Sequence, residues 1–116
     1  MSCDDIPSSG LIGKWQLKTV DKSGVVVTSV DTIWYNFQSE SVFSAQVYVP
    51  QKDTVLSVVG MRTQSDNIIT IELTDWAYLD YFDWNGVKRS FAIENVGKKN
   101  LILCSEEGYR YSFIKF

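Results

Sequence analysis

Apolar and polar side chains alternate along most of this 116-residue chain, and a period of two residues predicts β-strands. The predicted strands cover residues 13–20, 31–38, 42–49, 54–63, 68–74, 87–95, 101–104 and 109–115, with residues 25–27 as a short extension. Short links join these strands, so each strand should pair with its neighbour along the chain. Eight strands connected in this way can close on themselves and so remove the exposed sheet edges. We therefore predict an all-β fold, an eight-stranded antiparallel up-and-down β-barrel.

The strand pattern also predicts which side chains face the barrel interior. In the first strand Trp15, Leu17 and Thr19 share one face, and Gly60 in the fourth strand suggests a bend or a bulge. The residues that would line the interior are Tyr35, Phe37, Tyr48, Val59, Met61, Ile71, Phe91, Ile93, Tyr111 and Phe113. Because eight-stranded barrels are narrow, these side chains either fill the barrel or leave an apolar pocket for a small ligand.

The segment 74–84 breaks the alternation and concentrates aromatic and acidic residues. In chain order these are Asp75, Trp76, Tyr78, Asp80, Tyr81, Phe82, Asp83 and Trp84. A segment with this much aromatic surface usually buries it or uses it to bind a partner. Three interpretations are open: a lid whose Trp76, Tyr78 and Phe82 border a pocket, a docking patch for a protein or a glycan, or a hairpin or helical turn that caps the core.

Composition argues against several classes of function. The chain has no His, which removes the commonest general base and the commonest neutral metal ligand. Its formal net charge of −3, without a basic stripe, argues against binding nucleic acid. The carboxylates Asp75, Asp80 and Asp83 leave a glycosidase or a Ca²⁺ site as alternatives, but their spacing fixes no carboxylate pair and matches no EF-hand loop. We predict no enzymatic activity, no cofactor and no metal site.

The first of the two cysteines lies almost at the start of the chain. Cys3 is followed by two acidic residues and then by Pro, Ser and Gly, a composition typical of an irregular tether. A Cys in this position resembles the lipid-bearing first residue of a mature bacterial lipoprotein. We therefore interpret residues 1–10 as a tether and residues 11–116 as the folded domain. The alternatives are an incidental Cys3 and a disulfide with Cys104, whose apolar surroundings favour a buried thiol instead.

The phrase Gly13-Lys14-Trp15, at the start of the first strand, resembles the Gly-x-Trp signature of the lipocalins and their calycin relatives. The other matching pieces are Tyr35-Asn36-Phe37, residues 91–96 with 100–103, and residues 109–115. Together they are similar to the compact lipocalin-like lipoproteins of Bacteroidetes. The resemblance implies that Gly13 allows a tight turn and that Trp15 closes one end of the barrel. In larger lipocalins a late Arg packs over this Trp, which implies that Lys115 or Arg110 takes that position here.

The resemblance implies binding rather than catalysis. We predict that a small apolar or aromatic ligand binds in or at the mouth of the barrel. The predicted contacts are Trp76, Tyr78 and Phe82 at the rim and Tyr35, Phe37 and Tyr111 below it. The predicted location is the bacterial cell envelope, in contact with the membrane only through a lipid on Cys3. The alternative function is an interaction module that binds an envelope protein or a glycan through residues 75–84.

Overall fold

The computed structural model of the protein describes residues 8–22, 24–27, 32–75, 79, 84 and 86–116. Within these ranges the strands are β1 (Gly13–Lys22), β2 (Val25–Val27), β3 (Ile33–Phe37), β4 (Val42–Val49), β5 (Thr54–Ser65), β6 (Ile68–Leu73), β7 (Lys88–Val96), β8 (Asn100–Ser105) and β9 (Arg110–Lys115). Two short 3-10 helices accompany them, Ser8–Leu11 and Pro50–Lys52. The first of these begins at Ser8, inside residues 1–10, for which the sequence predicts an irregular tether.

The strands form one antiparallel sheet that closes on itself. Its order is β2-β1-β3-β4-β5-β6-β7-β8-β9, and β1 also pairs with β9. The first part of β1, from Gly13 to Gln16, pairs with β3, and its last part, from Val20 to Lys22, pairs with β2. The short β2 is thus the predicted extension, and the other eight strands make the closed barrel. The prediction of an eight-stranded antiparallel up-and-down barrel is confirmed.

A bulge in β1 changes which side chains this strand buries. The register between β1 and β9 shifts between Leu17 and Thr19. After the shift Val20 faces the core, while Thr19 is only half-buried. The prediction that Thr19 continues the inward row of Trp15 and Leu17 is therefore wrong, because an added residue in one strand reverses the faces that follow it.

Gly60 marks a close approach between strands. It pairs with Phe43 on β4 and with Leu73 on β6, and neither register shifts there. A Cβ atom at this position would lie 2.5 Å from the carbonyl oxygen of Glu72. A glycine is needed at this point because the neighbouring backbone leaves no space for a side chain. In the described part of the chain no bulge lies at Gly60, and the second register shift falls between Ile93 and Asn95.

Most of the predicted interior positions are buried: Tyr35, Phe37, Ile71, Phe91, Ile93, Tyr111 and Phe113. Three predicted positions instead lie on the outer face. Val59 and Met61 are 50% and 63% exposed, and Tyr48 donates a hydrogen bond from its hydroxyl to Asp53 Oδ1 at 2.9 Å. Because β5 is apolar on both faces, alternation could not define its phase. The register with β4, which sets Val58 opposite the buried Ala45, defines it instead.

The start of β1 and the end of β9 meet at one end of the barrel, called the base here. Trp15 is fully buried there, and its Nε1 donates a hydrogen bond to the Leu11 carbonyl oxygen at 2.9 Å. Lys115 Nζ lies 4.5 Å from the centre of the Trp15 ring and donates to the Ile12 carbonyl oxygen at 2.8 Å. Gly13 has a φ of 136°, and a Cβ atom there would collide with Lys115 Nζ. These contacts explain the Gly-x-Trp signature, and Lys115 takes the expected position over the ring.

Arg110, the other residue considered for that position, lies far from Trp15 in the sheet. It sits at the start of β9, and its Nε donates to Glu94 Oε1 at 2.7 Å on the outside of the barrel. The second cysteine, Cys104, is half-buried on β8, with its Sγ 3.7 Å from the Ser105 carbonyl oxygen. Cys3, its partner in the disulfide alternative, lies outside the described residues, so that alternative stays a prediction.

Candidate ligand-binding site at the mouth of the barrel

The end of the barrel opposite the base is called the mouth here. Up-and-down connectivity brings four links to it: the β1–β2 turn, the 3-10 helix Pro50–Lys52, the link from Leu73 to Lys88, and the β8–β9 turn. The third of these is the aromatic and acidic segment noted in the sequence. Loops at the end of a rigid barrel are the usual place for binding residues, so a binding site is expected at the mouth.

A buried arginine lies at the mouth. Arg89 is the second residue of β7, and it is only 6% exposed. Its Nη2 donates to the hydroxyl of Tyr111 at 2.9 Å and to Glu107 Oε1 at 3.3 Å. Its guanidinium carbon lies 5.2 Å from the ring centre of Phe91, 5.3 Å from that of Tyr111 and 5.9 Å from that of Trp84. The cation is therefore enclosed by aromatic faces, with a carboxylate at its outer side.

The electrostatic surroundings keep this pair charged. Burial alone would lower the pKa of Arg89, but the phenol groups of Tyr111 and Tyr35 and the Glu107 carboxylate outweigh it and raise that pKa. The pKa of Glu107 is lowered, first by a hydrogen bond from Ser105 and also by the charge of Arg89. At neutral pH the site therefore holds a guanidinium and a carboxylate, both ionised.

A cleft of about 310 Å³ opens beside this pair. It is lined by Lys88, Arg89, Glu106 and Glu107. Charge-assisted Arg–carboxylate hydrogen bonds are commonly about 2.7–2.9 Å long. The 3.3 Å contact to Glu107 is longer, and the Glu107 side chain is 38% exposed at the edge of the cleft. The Glu107 carboxylate therefore meets both Arg89 and solvent at the edge of the cleft.

A second groove of about 310 Å³ lies next to the cleft and is mainly apolar. It is lined by Ile68, Ser90, Phe91, Ala92, Cys104, Ser105 and Glu106. Glu106 borders both the groove and the cleft. Ser90, Ala92 and Cys104 alternate with inward-facing neighbours, so the groove runs along the outer face of the sheet and meets the cleft at Glu106. This arrangement suits a ligand whose acidic group enters the cleft and whose apolar body lies on that outer face.

Aromatic side chains fill the barrel below the mouth. Trp84 is buried, its Nε1 donates to the Tyr35 hydroxyl at 2.9 Å, and its ring stacks on Phe43 with centres 6.5 Å apart. Tyr35 also contacts Phe91 and Phe113, at 6.3 and 4.9 Å between ring centres. This packing favours a filled interior over a deep pocket. The candidate site is therefore the cleft at the mouth.

The described residues of the aromatic segment take part in this core. Trp84 is buried in it, and Leu79 packs against it as a half-buried side chain. For these two residues the structure agrees with the interpretation of a segment that caps the core. The predicted rim residues Trp76, Tyr78 and Phe82 lie outside the described residues, as do Asp80 and Asp83, and their roles stay predictions.

The structure brings together two of the three predicted residues below the rim. Tyr35 and Tyr111 surround Arg89, whereas Phe37 lies near the base, opposite Gly13 in the pairing of β1 with β3. There Phe37 contacts the guanidinium of Arg62 at 5.1 Å, away from the mouth. The two tyrosines therefore lie at the same site, and Phe37 does not.

Sequence reasoning missed Arg89 and Glu107 as site residues. The signal for Arg89 was present, because it occupies an inward position in the alternation of β7, two residues before Phe91. A charged side chain at an inward position needs a partner or a function. Glu107 carried no such signal, since it lies in a turn where an exposed carboxylate is ordinary.

Metal sites and membrane-spanning helices are two further features that could carry a function. Among the residues that the structure describes, no group of three or more His, Cys, Asp or Glu is placed to hold a metal ion. Within the same residues, no helix has the length and apolar character needed to span a membrane.

Comparison with known proteins places the chain in a family. The family model of a lipocalin-like domain matches residues 1–116. The crystal structure of a lipocalin-like protein from Bacteroides uniformis is 30% identical, with a TM-score of 0.81 over 92% of this chain and 99% of that one. A protein from Bacteroides eggerthii is 25% identical, with a TM-score of 0.77 over 91% of this chain and 99% of the other. No curated protein matches significantly. Proteins of this kind are in general binding proteins rather than enzymes, and the chain belongs to the family of lipocalin-like domains.

Proposed function

We propose that this protein binds, without catalysis, a small ligand at the mouth of its barrel, and that the ligand has an apolar or aromatic body and an acidic group. The observation that carries the proposal is the buried Arg89, enclosed by aromatic rings and bordering a cleft. The apolar groove beside the cleft supports the proposed ligand body.

The acidic group follows from the cost of burying a charge. A buried guanidinium is tolerated only with an anion and hydrogen bonds around it, since its desolvation costs several kcal/mol. Among the described residues, Glu107 supplies an anion from a half-exposed turn, with its Oε1 3.3 Å from Arg89 Nη2. A ligand carboxylate can form two parallel hydrogen bonds with a guanidinium, which is a stronger arrangement than one long contact. A ligand carboxylate that takes the place of Glu107 at Arg89 keeps an anion against the guanidinium, and Lys88 is a second cation at the cleft.

The test is a titration followed by tryptophan fluorescence, because Trp84 lies close to Arg89. The probes are alkyl and aromatic carboxylic acids, each paired with the alcohol of the same skeleton. We expect saturable changes with the acids and at least tenfold weaker binding of the alcohols. Absence of saturable binding by both classes would overturn the proposed function, and equal binding of acids and alcohols would overturn the acidic group.

Variants separate the two charges of the site. Arg89→Met keeps an unbranched apolar stem and removes the guanidinium, so the preference for acids should disappear. Glu107→Gln removes the competing carboxylate, so acids should bind more tightly. Arg110→Met is the matched control, because Arg110 pairs with Glu94 on the outside of the barrel. If the control lowers affinity as much as Arg89→Met, the binding is not at the mouth.

We also propose that the chain is a lipoprotein of the bacterial cell envelope, attached through Cys3. The polar, acidic lead-in after Cys3 supports this, together with the similarity to proteins from Bacteroides. The chain, expressed behind a lipoprotein signal sequence with Cys3 as the first mature residue, should incorporate labelled fatty acid and sediment with membranes. Cys3→Ala should abolish both, whereas Cys104→Ala should abolish neither. Labelling that survives Cys3→Ala would contradict the proposal.

The alternative function, docking on an envelope protein or a glycan through residues 75–84, stays a prediction. Of the aromatic residues in that segment, the one that the structure describes is Trp84, and it is buried in the core. No described feature of the segment favours docking over capping.

A further inference from the structure

The base of the barrel combines exposed apolar side chains with lysines. Ile12 and Ile114 are each 40% exposed, and Phe116 is 67% exposed. The lysines of this end are Lys14, Lys98, Lys99 and Lys115. We call these seven residues the basal face. Exposed apolar side chains that cluster within a polar rim mark a protein or membrane interaction site, whereas singly scattered ones are ordinary.

Backbone hydrogen bonds hold the parts of the basal face together. The amide of Phe116 donates to the Lys14 carbonyl oxygen at 2.9 Å, and the amide of Lys115 donates to the Lys99 carbonyl oxygen at 2.8 Å. Lys14 Nζ lies 5.0 Å from the ring centre of Phe116 and 5.4 Å from that of Trp34. The lysines and the apolar side chains therefore share one side of the base, where β1, β9 and the β7–β8 turn meet.

The acidic residues are distributed differently. At the base, Glu40 lies in the β3–β4 turn, where its charge acts on Arg62, and Asp66 lies in the β5–β6 turn. The β3–β4 turn follows β3, which pairs with β1, so Glu40 borders the basal face, whereas β3 and β4 separate the β5–β6 turn with Asp66 from β1. At the mouth, Glu106 and Glu107 stand at the cleft. Among the residues that the structure describes at the base, the four lysines and Arg62 outnumber Glu40 and Asp66, so this end is locally positive in a chain of net charge −3.

We infer that the basal face rests on an anionic membrane surface. Lysines bind the phosphate region of anionic lipids, while neighbouring Ile and Phe side chains enter the boundary of the acyl chains. The 3-10 helix Ser8–Leu11, which continues from the proposed tether, lies at the same end. The contact would direct the mouth away from the membrane. This contact of the basal face is additional to the membrane attachment through the lipid on Cys3. Its role in the cell rests on that proposed attachment, but the contact itself does not require the lipid.

The test uses the chain without a lipid, so that the basal face is measured by itself. Partitioning is measured by sedimentation with phosphatidylcholine vesicles that contain 40 mol% phosphatidylglycerol, and with pure phosphatidylcholine vesicles. Each lysine close to an anionic surface contributes about fivefold to binding. We expect binding to the anionic vesicles alone, weakened by added salt because surface charges are screened. Equal binding to both vesicle types, or binding to neither, would overturn the inference.

Paired charge reversals locate the contact. Lys98→Glu with Lys99→Glu should weaken binding to anionic vesicles by at least about 25-fold. The matched control, Lys22→Glu with Lys52→Glu, changes the net charge equally but lies at the mouth. The first variant should retain the melting temperature of the parent chain, since Lys98 and Lys99 are exposed. The control should lower the melting temperature only slightly, because half-buried Lys22 has its Nζ 5.5 Å from the ring centre of Tyr109 and such a cation–π contact contributes little near the surface. An equal loss in the control would mean that net charge, and not the basal face, drives the binding.

Phe116→Ser tests the apolar part of the contact. It removes an exposed ring while leaving every lysine in place, and we expect a severalfold loss of binding that added salt does not abolish. Unchanged binding would overturn the insertion of this side chain. The fatty-acid labelling of Cys3 and the ligand titration at Arg89 do not depend on these lysines, so failure of the inference is distinguishable from failure of the proposed function.

Discussion

The contact between Gly13 and Lys115 makes a quantitative prediction about stability. Gly13→Ala places a side chain at a φ of 136°, a strain that costs about 1–3 kcal/mol. The new Cβ atom also displaces Lys115 from Trp15 and from the Ile12 carbonyl oxygen. The lost cation–π contact and hydrogen bond cost about 1–2 kcal/mol more. We expect Gly13→Ala to lower the free energy of unfolding by about 2–5 kcal/mol.

Because both changes remove the same lysine contacts, their effects should not add. Lys115→Ala alone should cost about 1–2 kcal/mol. The double variant should be no less stable than Gly13→Ala, which gives a coupling energy of about 1–2 kcal/mol. Urea unfolding followed by tryptophan fluorescence measures all four chains of this cycle.

Gly24→Ala separates strain from collision. Gly24 has a φ of 95°, and a Cβ atom there would meet nothing within 4 Å. It should therefore show the strain cost without any coupling to Lys115→Ala. If the effects of Gly13→Ala and Lys115→Ala on the free energy of unfolding add to within about 0.5 kcal/mol, Gly13 is not needed to leave space for Lys115 over Trp15.

Two further predictions concern stability. Trp15 is fully buried, so Trp15→Ala should lower the free energy of unfolding by about 3–5 kcal/mol and the melting temperature by at least about 12 °C. Trp34 is half-buried, so Trp34→Ala should cost less than half as much. Equal melting temperatures of the two variants would contradict this prediction. Glu107 has a folded-state pKa below its ordinary 4.5, so it stabilises the fold above that pH and loses this effect as the pH falls through the folded-state pKa. The Glu107→Gln variant should therefore be less stable than the parent by up to about 1 kcal/mol at pH 7. This difference in the free energy of unfolding should shrink below pH 4.5. A difference that grows on acidification would contradict the lowered pKa of Glu107.

The barrel was predictable because most strands have one polar and one apolar face. In β3, for example, alternation alone identified Ile33, Tyr35 and Phe37 as inward side chains. In β5 both faces are apolar, so the phase depended on pairing with β4, which is a contact between distant parts of the chain. The bulge after Leu17 could not be predicted either, because alternation assumes that every residue has one partner.

The candidate site was predictable only in part, for a similar reason. The inward positions of Tyr35 and Tyr111 followed from their own strands. The pairing of Arg89 with Glu107 depends on the β8–β9 turn lying beside the start of β7, eighteen residues away in sequence. Which basic residue covers Trp15 depends on the register of β9 against β1, and this sets Lys115 opposite Trp15.

The pairing of β1 with β9 also has a consequence for how the chain folds. The hydrogen bond from Lys115 to the Ile12 carbonyl oxygen joins residues 103 positions apart, so the barrel closes only through contacts that span nearly the whole chain. Such distant contacts make folding slow. On the ribosome, β1 would expose an unpaired edge until Arg110–Lys115 had been synthesised, and unpaired edges favour aggregation. Loss of that last strand would leave two open edges, on β1 and on β8, and a chain prone to assemble with its own copies.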